Sequence, residues 1–166
     1  MIRVKNLFIY SSELDEAQRS LNETEQMDAK RLFYFPDSDD VNTQRNLVSF
    51  TEGSFLVFRD PSQERKASTF YTSRRVYVNI EMSPQIFMGI VYEFNKANMS
   101  EMDSSDIVVD ISLFFLKTFE TFYDLEEFLS KIKVKDSQLR EVFREFVEVY
   151  FLTRDFPGGL PNIYHH

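Results

Sequence analysis

Leu7-Phe8-Ile9-Tyr10 decides the reading of this chain: four large apolar residues in a row, closed by Ser11-Ser12. A strand with one wet face alternates apolar with polar residues, so an unbroken run predicts a strand covered on both faces. Ile9 and Tyr10 are also types that favour strands. The expectation is a central strand of a sheet with helices on both sides.

The pattern returns at Leu32-Phe33-Tyr34-Phe35 and stops at Pro36-Asp37, which predicts an antiparallel neighbour for the first strand. The stretch between, Glu13 to Asp28, carries Glu13, Asp15, Glu16, Glu23, Glu25 and Asp28 and reads as a solvated connector. It lacks the spacing of acids and the glycine that a calcium loop of the EF-hand type requires. Ser38, Asp39 or Asp40 then caps a helix running to about Phe58, before Asp60-Pro61. Three strand signals follow: Thr69 to Thr72, then Val76, Val78 and Ile80 in alternation, then Ile86 to Phe94. A turn over Glu81 to Gln85 joins the last two. After a polar loop, Asn95 to Asp103, Ser104 or Ser105 starts a helix with the stripe Ile107, Ile111, Phe115, Thr118 and Phe122, widened by Phe114 and Phe119. Asp124 with Glu127 has the spacing of a capping box and restarts the helix as far as Ile132. A last helix, Ser137 to about Thr153, buries Leu139, Val142, Phe143, Phe146, Val149 and Tyr150, with Arg140, Glu141, Arg144, Glu145 and Glu148 on its wet face. The predicted fold is α/β (α+β): a five-stranded, mainly antiparallel sheet with one helix on one face and two on the other. The order is β-β-α-β-β-β-α-α, in one domain over residues 1–156, with residues 157–166 as a C-terminal tail or linker.

A chain of 166 residues is one domain by length, enough to take roughly 70% of its unfolded surface out of water. Its 18 Phe and 8 Tyr predict a core of aromatic layers. There is no Cys, hence no disulfide, thiolate nucleophile or Cys-based metal site. No apolar run approaches the roughly 20 residues that span a bilayer, and the opening strand has no signal-peptide pattern. The expected location is cytoplasmic. The sequons at Asn22 and Asn98 then have no consequence. The net charge of −8 disfavours phosphate backbones and anionic lipid as partners and suits a neutral or basic protein.

The parts of an enzyme are missing. The only histidines, His165 and His166, sit at the extreme C-terminus, with no Gly-x-Ser-x-Gly elbow, phosphate-cradling loop or dinucleotide fingerprint. Glu126 and Glu127 are adjacent and diverge on a helix. No catalytic residue, metal site or cofactor is expected. Phe70 to Tyr77, with Arg74 and Arg75 between, superficially suits base stacking, but an acidic domain with both sheet faces covered does not, so no nucleic acid is expected.

The helix after the second strand carries the functional signal. Leu47, Thr51, Ser54, Phe55 and Phe58 share a sheet-facing stripe, while Phe50, Gly53 and Val57 lie to one side, with Ser49 and Leu56 beyond. This apolar arc is wider than one sheet contact requires. Gly53 costs about 1 kcal/mol relative to Ala inside a helix, and small residues let another backbone approach. Two readings stay open: a helix-to-helix contact with a partner, or a flank buried under the domain's own loops.

Strand, strand, helix, three strands and two helices is the element order of the longin fold, and the residues resemble the first longin domain of the CCZ family. The relatives of that family are the Hermansky–Pudlak longin proteins and inturned. The resemblance rests on Leu7-Phe8-Ile9-Tyr10-Ser11 with Lys30-Arg31-Leu32-Phe33-Tyr34-Phe35-Pro36 after an acidic gap. It rests also on Tyr71-Thr72-Ser73-Arg74-Arg75-Val76-Tyr77 leading into Ile86-Phe87-Met88-Gly89-Ile90-Val91, and on Phe119-Glu120-Thr121-Phe122-Tyr123-Asp124. It implies a subunit of a guanine-nucleotide exchange factor for a late-endosomal or vacuolar Rab GTPase, formed with a longin domain of a monensin-sensitivity (MON) protein. Carried onto this chain, the pairing surface is Ser49, Phe50, Gly53, Leu56 and Val57 with Thr69, Phe70 and Tyr71 on an edge strand. The Rab docks on the paired surface, and membranes (late endosome, vacuole or lysosome) are reached only through the complex. Members of the family carry further domains, so the chain reads as a fragment or a reduced relative without exchange activity alone. The alternative is a longin-type module in a lysosome-related-organelle, coat or ciliary-polarity complex.

Overall fold

The computed structural model describes residues 2–58, 67–94 and 101–152. Asp60-Pro61, the connector 63–66, the sequon at Asn98, the tail 157–166 and the terminal histidines lie outside them, as does most of the loop expected from Asn95 to Asp103. The elements are β1 (Ile2–Ser11), α1 (Glu23–Lys30), β2 (Arg31–Phe35), α2 (Val41–Phe58), β3 (Ala67–Tyr71), β4 (Arg75–Ser83), β5 (Ile86–Phe94), α3 (Glu101–Phe122), α4 (Leu125–Lys133) and α5 (Ser137–Val147). A π-helical turn over Glu148–Leu152 follows α5. The strands form one antiparallel sheet in the order β2-β1-β5-β4-β3. An α+β architecture around a five-stranded sheet is thus what the chain adopts, consistent with a longin-like fold.

Leu7, Phe8, Ile9 and Tyr10 are wholly buried. β1 lies between β2 and β5, so its backbone is paired on both sides and its side chains are covered above and below. The middle position of the sheet belongs to β5, one strand over from the expected centre. On one face, Phe8, Tyr10, Tyr34, Phe70, Tyr77, Phe87 and Val91 pack beneath Val48 and Phe55 of α2. On the other, Leu7, Ile9, Phe33, Val78, Met88 and Ile90 pack against α3, α4 and α5. That second layer is largely aromatic: Phe115 stacks on Phe151 at 4.8 Å, and Phe119 meets Phe128 at 4.8 Å and Phe143 at 5.1 Å.

The structure departs from the expected element order between β1 and β2. The acidic stretch is not all connector: it contains a 3-10 turn, Gln18–Ser20, and the helix α1. The reason is local. Asn22 Oδ1 accepts from the Glu25 N–H (2.8 Å) and Glu25 Oε1 accepts from the Asn22 N–H (3.3 Å), a complete capping box with acids in the positive first turn. The expected pair of helices on the second face is three, because α4 is a separate helix, capped by Asp124 as its spacing predicts. α3 begins at Glu101, three residues before Ser104.

Two helical stripes are also rotated from their expected lines. In α3 the buried residues are Val108, Ile111, Ser112, Phe115 and Phe119, whereas Phe122 is 70% exposed. Phe122 lies only about 20° around the helix from the buried Phe115, and it is exposed as the last residue of α3. In α5 and the turn that follows it, Phe143 and Val147 are buried but Val142 and Val149 are exposed, and Arg140 and Arg144 are partly buried instead of solvated.

Candidate functional site

α2 is set on the sheet by polar contacts at its start and along one flank. Asp40 Oδ1 accepts from the Thr43 N–H at 2.7 Å, so of the three candidate caps Asp40 is the one used. Asp39 instead ties the helix entry to the sheet: its Oδ2 accepts from the Tyr34 hydroxyl at 2.6 Å and from Asn6 Nδ2 at 3.0 Å. Burial first, then the carboxylate of Asp39, pushes the Tyr34 hydroxyl above its ordinary range, so it stays a donor. Along the flank, Arg45 grips Asp28 of α1 with two hydrogen bonds of 2.8 and 2.7 Å, and Lys30 meets Glu52 at 2.6 Å.

With the helix so held, Val48, Thr51 and Phe55 turn into the sheet and are buried. Val48 takes a place in this contact that the expected stripe did not include. Leu47 packs at its margin, Ser54 is half-buried, and the side chain of Phe58 lies outside the described residues. Thr51 sits under the helix at no cost in unpaired polarity, since its hydroxyl donates to the Leu47 carbonyl at 2.8 Å.

Ser49, Phe50 and Gly53 turn the other way and are exposed. A Cβ added to Gly53 would meet nothing within 4 Å among the described residues. Phe50 keeps 47% of its surface in water although it stands edge-on to Phe70 (5.6 Å) and Tyr77 (5.5 Å), which themselves stack at 4.6 Å and 8°. The three rings form a ledge running from α2 across to the end of the sheet. Leu56 and Val57 are on α2, but their side chains lie outside the described residues.

Thr69, Phe70 and Tyr71 lie on β3, which pairs with β4 on one side (Thr69 with Val78, Phe70 with Tyr77, Tyr71 with Val76) and ends the sheet. Phe70 points toward α2 and is buried; Thr69 is half-buried; Tyr71 is 41% exposed. The structure therefore brings Phe50 and Phe70 into contact and leaves Ser49 and Gly53 exposed on α2, whereas Thr69 and Tyr71, paired with Val78 and Val76, turn to the opposite face of the sheet and are not brought to the ledge.

The two ends of the sheet differ. At β2, Arg144 Nη1 donates to the Tyr34 carbonyl at 3.1 Å while its guanidinium lies 5.1 Å from the centre of the Phe33 ring. One outward carbonyl of that edge is thus occupied, and a cation stands where a further strand would add. At β3 no described residue plays that part.

The cleft between α4 and α5 has its charges engaged. It is about 310 Å³ and is lined by Tyr123, Phe128 and Val142 with Asp124, Lys131 and Asp136. Asp124 and Asp136 cap α4 and α5, and Lys131 pairs with Glu127 at 2.9 Å. Among the described residues no helix is long and apolar enough to cross a membrane, and no group of three or more acidic or histidine side chains is placed to hold a metal ion.

The ledge was legible as an over-wide arc on α2. The Arg144 contact was not, because it joins residues 110 positions apart. No protein-family model and no curated protein matches the chain.

Proposed function

We propose that this chain is an interaction module of the longin type that works by pairing with a second longin domain, and that the pair acts as a guanine-nucleotide exchange factor for a Rab GTPase of late endosomes, vacuole or lysosome. The partner is of the MON kind, the Rab docks on the paired surface, and contact with membranes is made through the complex. The chain supplies surface and no reacting group, so the exchange activity belongs to the pair.

One observation carries the pairing: the open side of α2, with Phe50 half in water and Gly53 without a neighbour among the described residues, stands beside the outer edge of β3, which no described strand pairs. A helix face and a strand edge side by side are what a second domain of the same build needs in order to align helix with helix and extend the sheet. The Rab step rests on the resemblance to the CCZ family alone.

The test is release of labelled GDP from candidate Rabs, measured with the chain alone, with a candidate longin partner alone, and with both. Release is expected only with both. Stable pairing that accelerates no Rab assigns the module to a coat or scaffold complex instead.

A further inference from the structure

Outside the α2–β3 ledge, the strongest unexplained feature is a concentration of cations beside β2 in a chain whose net charge is −8. Arg31 Nη1 donates to Asp28 Oδ1 at 2.8 Å, Lys135 Nζ donates to the Asp28 carbonyl at 2.9 Å, and Arg144 holds the Tyr34 carbonyl. Arg140 lies one turn before Arg144 on α5. Among the described residues Asp28 is the carboxylate hydrogen-bonded to this group, and its side chain is already shared by Arg31 and Arg45. Asp136 gives its carboxylate to the Leu139 N–H, and Asp37 and Glu141 stand 3.9 and 3.8 Å from Arg144, both mostly in water.

Arg140 is what this arrangement leaves over. Among the described residues its buried Nε has no acceptor and no carboxylate pairs with it. Burial, then Arg144, then Arg31 disfavour its charge, and Lys135 is pulled down by burial, Arg31 and Arg140 in that order. A fold gains nothing by crowding partly buried like charges around a donor with no partner. A buried donor left unpaired calls for a water or an ion.

We propose that the partly buried cluster of Arg31, Lys135, Arg140 and Arg144 beside the outer edge of β2 binds a phosphate monoester, with Arg140 as its principal contact. Forked guanidinium donors match phosphate oxygens, and a dianion supplies the counter-charge that Arg140 and Lys135 lack among the described residues. The side chains of Arg31 and Arg144 are only 16% and 14% exposed, so a compact soluble phosphate fits better than a lipid surface, which an acidic domain repels.

The test uses the whole chain and inorganic phosphate, with chloride at matched ionic strength as the control. Phosphate at about 100 times its dissociation constant is expected to raise the unfolding temperature by roughly 5–10 °C over chloride. Arg140→Gln is expected to lose that rise and, in phosphate-free low-salt buffer, to unfold no lower than the wild type, because a repelled charge has gone. If Arg140→Gln does not fold, Arg140→Lys takes its place, with phosphate binding weakened at least fivefold. Equal effects of phosphate and chloride on the wild type would overturn the site, as would a substituted Arg140 that responds like the wild type. A separate arm presents phosphatidic acid vesicles. Capture of the chain that needs Arg140, without any response to soluble phosphate, would also overturn the proposal and mark a membrane contact.

Discussion

Gly89 lies directly against the ring of Phe8. The two are cross-strand partners on β5 and β1, and a Cβ on Gly89 would come within 2.5 Å of the ring's Cε2. Phe8 has nowhere to retreat: it is fully buried, stacked on Tyr34 at 5.9 Å and 6.1 Å from Tyr10. Gly89→Ala is therefore expected to destabilise the domain by about 1–3 kcal/mol through overpacking. The urea midpoint measures this, and an unchanged midpoint would mean that the aromatic layer under α2 can shift.

Gly53 is the opposite case. With no described residue close to it and a helix on both sides, Gly53→Ala is expected to stabilise the free domain by about 0.5–1 kcal/mol, since the unfolded chain loses freedom and no described side chain is displaced. A thermal melt showing destabilisation would place unseen packing at that face.

Beneath α2, the Tyr10 hydroxyl donates to Asn79 Oδ1 at 3.0 Å, both residues wholly buried, while Asn79 Nδ2 has no partner among the described residues. Tyr10→Phe should cost about 1–3 kcal/mol, because it leaves a second polar atom of Asn79 unpaired. In an Asn79→Ala background the same change should cost much less. A double-mutant cycle by chemical denaturation reads the coupling, and additive effects would deny it.

Asp28 gives the acid dependence. The hydrogen bonds from Arg45, ahead of those from Arg31 and against some burial, hold its carboxyl down to about 2. A folded value below the unfolded one, near 4, means stability that is complete above pH 4 and is lost as pH falls toward 2. The carboxylate is a third exposed, so after screening the contribution is about 1 kcal/mol. Arg45→Ala should remove most of it. The gap between wild type and variant in melts should be full above pH 4 and close by pH 2; a gap constant with pH contradicts the assignment.

What the chain spells out locally matches what it builds. Leu7 to Tyr10 announce a doubly covered strand because burial on both faces demands an unbroken apolar run. Asp124 with Glu127 announces a helix start because the cap acts within one turn. The same cap stands at Asn22 and Glu25, where the surrounding carboxylates give the stretch the composition of a connector. Legibility fails where position depends on distant partners. Val48 displaces the margin of the expected stripe because Arg45 and Asp28 set the rotation of α2, and Arg144 leaves the wet face of α5 to close the edge of β2. The pairing face was half legible: the excess apolar width of α2 is in the sequence, while the ledge of Phe50, Phe70 and Tyr77 depends on the register of β3 with β4.

The most direct measurement is sedimentation of the chain mixed with a candidate longin-domain partner, run in parallel with Gly53→Arg. The space around Gly53 predicts that the variant stays folded, which its circular dichroism and melt will show. The wild type should form a one-to-one complex and the folded variant should sediment as free chain. If Gly53→Arg binds as tightly as the wild type, the open side of α2 is not the surface this protein works through.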